Sequence, residues 1–197
     1  GAASRGAEKI NSLCDREIAQ GYFLDVRDSN SVLKALSGTD STLSAVPYLY
    51  NLTLTEIAID AGTNLVDLGG HTETAREQLT LGHSALEKGI TLVPDCGMAP
   101  GRNINLGMDA MSFLDEPEAL FIWDGGLPQN PKPPWNYIAT FNINGLTNEY
   151  HSDAVFLRNG AVTAVPCLTE IEALSFESPL GTLEAAVTSG GLSALPW

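Results

Sequence analysis

The 197-residue sequence has few cysteines, few basic side chains and no long apolar run. Its three cysteines, Cys14, Cys96 and Cys167, form no C-x-x-C pair, which argues against a disulfide framework or a zinc site. No stretch approaches the roughly 20 apolar residues that cross a bilayer, and a basic-then-apolar leader is missing. We therefore expect a cytoplasmic protein with no membrane partner and no bound metal.

Positive charge is also scarce. The chain has ten Lys and Arg residues and 24 Asp and Glu residues, which gives a formal net charge of -14, and no cluster of basic residues offsets this charge locally. Such a chain repels nucleic-acid phosphates and anionic membranes. We expect no nucleic-acid partner, whereas a cationic small molecule suits this charge.

The first part of the chain has the pattern of an α/β protein. The start reads as the tail of a strand that turns into a helix, and short apolar strands then alternate with helices. This order predicts a doubly wound parallel sheet, because strands buried on both faces read as apolar runs. The expected strands are 21–26, 42–46, 64–68 and 90–93, and the expected helices are 31–36, 52–61 and 72–88.

The pattern changes after residue 115. Strands are expected at 120–126 and 137–143, and an Asn159-Gly160 turn predicts a hairpin between 154–157 and 161–165. A mostly antiparallel sheet indicates an α+β domain. We therefore predict two domains, 1–115 and 116–197.

Polar loops follow three of the predicted parallel strands: Pro47-Tyr48, Gly69-Gly70-His71 and Asp95-Cys96-Gly97. The carboxyl ends of parallel strands share one edge of a sheet, where α/β proteins bind ligands. Helix N-termini at this edge offer free backbone N–H groups. The sequence therefore predicts that the three loops converge on one binding site.

Several side chains at these loops are candidates for chemistry, each with a structural alternative. His71 is an acid–base candidate or a neighbour of a helix cap at Thr72. Asp95 orients substrate, takes a proton, or caps a helix. Cys96 has no visible base partner, so a small buried thiol is the favoured interpretation. Glu149 and Tyr150 belong to a helical turn predicted over 144–150, after the strand at 137–143; they present a carboxylate and a phenol to the cleft or lie on an exposed face.

Nucleotide-binding turns are missing from the sequence. No G-x-G-x-x-G follows a strand, and there is no P-loop. If this sheet binds a dinucleotide, we expect the first βα unit with its phosphate turn to precede Gly1.

Long runs of the chain resemble the saccharopine dehydrogenase-like family. Within that family, the likeness is greatest to enzymes that deaminate the lysine ε-amino group. The similar segments are 61–72, 93–101, 125–134, 145–150 and 188–193.

The resemblance implies an oxidoreductase of amino-acid metabolism that uses NAD or NADP. It implies an incomplete Rossmann domain over 1–115, a substrate-binding and dimerisation domain over 116–197, and a homodimer. The implied reaction is oxidative deamination of a small amino-acid substrate by hydride transfer. The alternatives are a saccharopine or carboxynorspermidine-type reductase and a non-catalytic fragment or binding module, since the chain reads as an internal piece of the enzyme.

Within the mechanism that the resemblance implies, the candidate residues are chosen by their positions in the sequence and not by a matched catalytic motif. Asp95 or Glu149 would attract the substrate ammonium, and His71 or Tyr150 would relay a proton. Ser4 and Arg5 are expected after the second strand, where an arginine favours the 2′-phosphate of NADP. The implied cofactor contacts are Ser4, Arg5, Pro47, Tyr48, Gly69, Gly70, Cys96 and Gly97.

Overall fold

The computed structural model describes residues 2–13, 15, 18–134 and 136–197. Its α-helices are α1 Ala2–Leu13, α2 Ser29–Leu36, α3 Asn51–Ala61, α4 Thr72–Thr80, α5 Gly82–Lys88, α6 Arg102–Ser112 and α7 Ile143–Tyr150. Its strands are β1 Ser41–Ser44, β2 Asn64–Asp67, β3 Leu92–Val93, β4 Asp153–Arg158, β5 Ala161–Pro166, β6 Glu172–Ser175 and β7 Thr182–Ala185. Within these ranges, no helix has both the length and the apolar character needed to cross a membrane.

A parallel sheet with the order β1-β2-β3 forms the centre of the first half. Leu43 is paired with Val66, which is paired in turn with Val93. Helices follow the first two strands, so the predicted α/β class is confirmed. The core beneath one face consists of buried side chains from α2, α3 and β2: Val32, Leu36, Leu54, Ile57, Ala58 and Leu65.

Local signals set the ends of two helices. The Asp28 carboxylate accepts the Ser31 N–H and caps α2; the sequence alone leaves the cap open among Asp28, Ser29 and Asn30. Helix α3 ends at Gly62, whose φ of 72° is in the left-handed region and whose N–H reaches the Ala58 and Ile59 carbonyls. These two helices then pack against each other over the core.

Other expectations for the first half are wrong. Residues 21–26 form no strand, because Tyr22 and Phe23 are exposed and pair with no neighbouring strand. Ala2 already lies in α1, so the start is helical rather than the tail of a strand. The helix expected over 72–88 is two helices, because the chain bends at Leu81 before Gly82, a weak helix former.

The second half contains two separate antiparallel pairs. The hairpin of β4 and β5 is confirmed, and both turn residues, Asn159 and Gly160, have the positive φ that such a turn requires. The pair of β6 and β7 was not predicted. Residues 120–126 form no strand; there Phe121 and Trp123 stack on each other, with ring centroids 5.9 Å apart. Residues 137–142 form no strand either, and residue 143 begins α7. The division at residue 115 stays a prediction.

Candidate functional site

The loops after the three parallel strands lie together at one edge of the sheet. The Cys96 N–H donates to the Asp67 carbonyl at 2.8 Å, which joins the loop after β3 to the end of β2. The rings of Tyr48 and His71 stack with centroids 4.8 Å apart, which joins the loop after β1 to the loop after β2. The convergence expected from the sequence is therefore observed.

Glycine is required where these loops come closest. Gly69 has a φ of 68°, and a Cβ there would lie 2.8 Å from Pro100 Cγ and 2.9 Å from Asp95 Cα. A Cβ on Gly97 would meet the Leu68 carbonyl oxygen. Among the described residues, in contrast, a Cβ on Gly70 would have the Tyr48 ring as its one neighbour within 4 Å, at 4.0 Å. The first two glycines thus serve loop packing, whereas the open space beside Gly70 allows a ligand to approach the backbone.

His71 is itself the N-cap of α4, in place of the predicted Thr72. Its Nδ1 accepts the Thr74 N–H at 3.2 Å. A neutral ring that accepts at Nδ1 carries its proton on Nε2, so Nε2 is a donor. A base role for His71 would therefore require loss of the helix cap.

The Asp95 carboxylate is directed into the protein. Both of its oxygens are buried and accept no well-formed hydrogen bond from the described residues. Burial raises the pKa of Asp95 and the Asp67 charge adds to the rise, while Ser193 and the Ala194 N–H oppose it. Asp95 caps no helix, because α6 begins after Gly101, so the capping alternative is wrong.

Cys96 is exposed, which corrects the expectation of a buried thiol. Local desolvation nevertheless raises its pKa, and the nearby Asp67 and Asp95 charges add to the rise. The protonated thiol is a poor nucleophile. Beside it lies an open cavity of about 350 Å³, lined by Cys96, Gly97, Gly101, Arg102, Asn105, Leu106 and Asp109.

The second half of the chain contacts this edge through two asparagine amides. Asn148 Nδ2 of α7 donates to the Gly70 carbonyl at 2.9 Å, and Asn103 Nδ2 of α6 donates to the Gly191 carbonyl at 2.9 Å. The Ser189 N–H donates to the Glu149 carbonyl at 2.9 Å. Helix α7 and the segment after residue 188 are thus fixed beside the Gly70 turn.

Glu149 and Tyr150 lie at the end of α7, so the helical turn predicted for 144–150 is confirmed, although no strand precedes it at 137–142. Glu149 is half-buried, and desolvation raises its pKa, with a contribution from Asp124. Burial likewise raises the pKa of Tyr150, and Tyr137 and Glu149 add to the rise. The structure therefore places a carboxyl group of raised pKa one residue from the amide that contacts Gly70.

The remaining candidate residues differ in how close they lie to the edge. Pro47 directly precedes the 3₁₀ turn Tyr48–Tyr50, and its carbonyl accepts the Tyr50 N–H at 3.1 Å. Ser4 and Arg5 lie in the first turns of α1 rather than after a strand, and the Ser4 side chain is outside what is described. The cofactor role of Ser4 and Arg5 stays a prediction.

The fold is that of an open α/β protein in which the loops after three parallel strands meet at one edge of the sheet, the edge where such folds bind ligands. The chain is 24% identical over 153 residues to a saccharopine dehydrogenase [NADP(+), L-glutamate-forming] of Schizosaccharomyces pombe. The match covers 75% of this chain and 33% of that protein. The resemblance to the saccharopine dehydrogenase-like family is therefore confirmed.

A solved structure shows the same fold. The apo, histidine-tagged saccharopine dehydrogenase (L-Glu forming) of Saccharomyces cerevisiae superimposes with a TM-score of 0.59 and 19% identity, over 96% of this chain and 43% of that one. No family model matches the chain. The chain thus spans about a third of the curated relative's length and less than half of the solved chain.

Proposed function

We propose that this chain is part of an NAD(P)-dependent oxidoreductase that acts on the carbon–nitrogen bond of an amino acid. Its specific reaction in this proposal is that of lysine 6-dehydrogenase, the oxidative deamination of the lysine ε-amino group. The convergence of three strand-end loops beside an open Gly70 backbone carries the proposal. The sequence match to a saccharopine dehydrogenase supports the reaction class.

The described residues fit the nicotinamide end of the cofactor. Tyr48 offers an aromatic face, Gly70 leaves space at the backbone, and the cavity beside Cys96 and Gly97 is of a size for one end of a dinucleotide. The nicotinamide, when bound, accepts a hydride. These residues would exclude water from the acceptor carbon and hold it against the substrate carbon.

The substrate amine would lie toward α7 in this proposal. The carbon that bears the amine loses a hydride and the nitrogen loses a proton, which leaves an imine; water then adds and ammonia leaves. Glu149 is the better base candidate, because desolvation raises its pKa and so strengthens it as a base, and its charged form attracts an ammonium. In this proposal Tyr150 passes the proton from Glu149 on to solvent, and His71 donates a hydrogen bond from Nε2 to the substrate.

Asp95 has an indirect part in this proposal. Its oxygens are buried and lie against Ser193 and Ala194, so they contact a substrate only if that segment moves away. We assign it an electrostatic role at the cofactor side, next to Cys96.

Calorimetry with NAD⁺ and NADP⁺ tests the proposal on the 197-residue chain. We expect binding of one nucleotide, and reduction of that nucleotide when lysine is added, read as absorbance of the reduced nicotinamide. Folded protein that binds neither nucleotide would contradict the proposal. Glu149→Gln should lower turnover without loss of nucleotide binding, whereas Asp60→Asn on the exposed face of α3 should change neither.

A second substrate is favoured by the comparison itself. The matched relative is named for the formation of L-glutamate with NADP⁺, which makes saccharopine the competing substrate. Reduction of NADP⁺ with saccharopine but not with lysine would replace the lysine proposal and keep the reaction class.

A further inference from the structure

Asp67 is a buried carboxylate that none of the proposed reaction steps uses. It ends β2 and is 1% exposed, on the same buried face of the strand as Leu65. A carboxylate withdrawn from water is costly unless several donors surround it. Its partners therefore indicate what it does.

The donors to Asp67 come from both loops of the site. Its Oδ1 accepts the Gly69 N–H at 2.7 Å and the Asp95 N–H at 3.4 Å. Its own carbonyl accepts the Cys96 N–H at 2.8 Å. One residue thus binds the turn after its own strand and the loop after the neighbouring strand.

The other side of the carboxylate is fixed to two helices. Asp67 Oδ2 accepts from Gln78 Nε2 of α4 at 2.6 Å, and the same amide donates to Thr55 Oγ1 of α3 at 2.8 Å. Gln78 and Thr55 are both buried. The carboxylate is therefore anchored in the core and presents its second oxygen to the loops.

We propose that Asp67 is a positioning residue that holds the Gly69–Gly70 turn and the Asp95–Cys96 loop as one surface toward a ligand. The nature of that ligand rests on the proposed function, whereas the coupling of the two loops does not. Replacement of a residue that only stabilised the core would destabilise the whole fold. Replacement of a positioning residue opens the two loops while the rest of the fold stays closed.

Amide hydrogen exchange distinguishes these roles. In Asp67→Asn we expect the Gly69 and Asp95 N–H groups to exchange at least about tenfold faster, as loss of a hydrogen bond to a charged group implies. The amides of α3 should keep their rates, and the control Asp60→Asn should change neither set. Unchanged loop amides, or equal acceleration in α3 and the loops, would overturn the proposal.

The unmodified chain provides a second test if Asp67→Asn does not fold. At denaturant concentrations below the global unfolding transition, the Gly69 and Cys96 amides should become open to exchange together. Their exchange rates should agree within about tenfold. Separate opening of the two loops would refute the coupling.

Nucleotide binding separates this inference from the proposed function. Saturating NADP⁺ or NAD⁺ should slow exchange in both loops at once, and Asp67→Asn should weaken that nucleotide at least about tenfold. If the unmodified chain binds neither nucleotide, the proposed function fails and the exchange data still decide the role of Asp67. A nucleotide that protects only one loop would overturn the positioning role.

Discussion

Replacement of Gly69 by alanine tests how tightly the loops of the site are packed. Gly69 has a φ of 68°, and an added Cβ would lie 2.8 Å from Pro100 Cγ and 2.9 Å from Asp95 Cα. The left-handed conformation costs an alanine about 1–2 kcal/mol. Overpacking of a close contact adds about 1–3 kcal/mol. We therefore expect Gly69→Ala to lower the free energy of unfolding by about 2–5 kcal/mol.

Gly62 provides a matched control for this change. Its φ of 72° is nearly the same, but no atom of the described residues lies within 4 Å of an added Cβ. Gly62→Ala should therefore cost only the conformational part, about 1–2 kcal/mol. Urea unfolding of both variants and the unmodified chain gives the difference, which isolates the contact with Asp95 and Pro100. Equal costs for the two substitutions would refute the close packing of the two loops.

Three further predictions concern candidate side chains. His71→Ala should lower stability in urea unfolding by about 1 kcal/mol for the lost helix cap, and His71→Asn should restore that part; equal loss in both variants would contradict the cap. With the other two cysteines replaced by serine, alkylation of Cys96 should have its midpoint above the usual thiol value of about 8.5, and Asp95→Asn should lower it. The raised pKa of Glu149 means that its carboxyl group holds a proton more tightly in the native state than in the unfolded chain. The contribution of Glu149 to the free energy of unfolding therefore falls as the pH rises from the pKa in the unfolded chain to the pKa in the native state. Glu149→Gln should therefore have a higher free energy of unfolding than the unmodified chain at pH 7 but not near pH 3, as measured by urea unfolding. An equal gain at both pH values would rule out the raised pKa of Glu149.

Local signals account for the elements that the sequence predicts well. Asp28 ahead of α2, Gly62 after α3 and Asn159-Gly160 between β4 and β5 each act within a few residues. Strand ends in a parallel sheet share an edge by topology, so the meeting of the three loops is also predictable. This is why the fold class and the location of the site are accessible from the sequence.

The wrong expectations arise where tertiary contacts decide. An apolar run such as 21–26 or 120–126 becomes a strand only beside a partner strand, and neither run pairs with a strand in the part of the chain that the structure describes. His71 instead of Thr72 caps α4 because its ring also stacks on Tyr48, which lies 23 residues earlier.

Asp67 was missed for a related reason. A carboxylate in a short strand reads as a residue on a polar face, whereas its partner Gln78 lies on a helix with no local relation to it. The signal available in the sequence was the alternation that puts Asp67 on the same face as the buried Leu65.

In the proposed function, the loops after the three strands form the nicotinamide nucleotide site. Titration of the ¹⁵N-labelled chain with NADP⁺ and NAD⁺, followed by amide chemical shifts, tests it residue by residue. We predict that one nucleotide shifts the amides of Gly69, Gly70, Cys96 and Gly97 together. Shifts confined to the β4–β5 hairpin, or no shifts in the folded chain at saturating nucleotide, would contradict the claim.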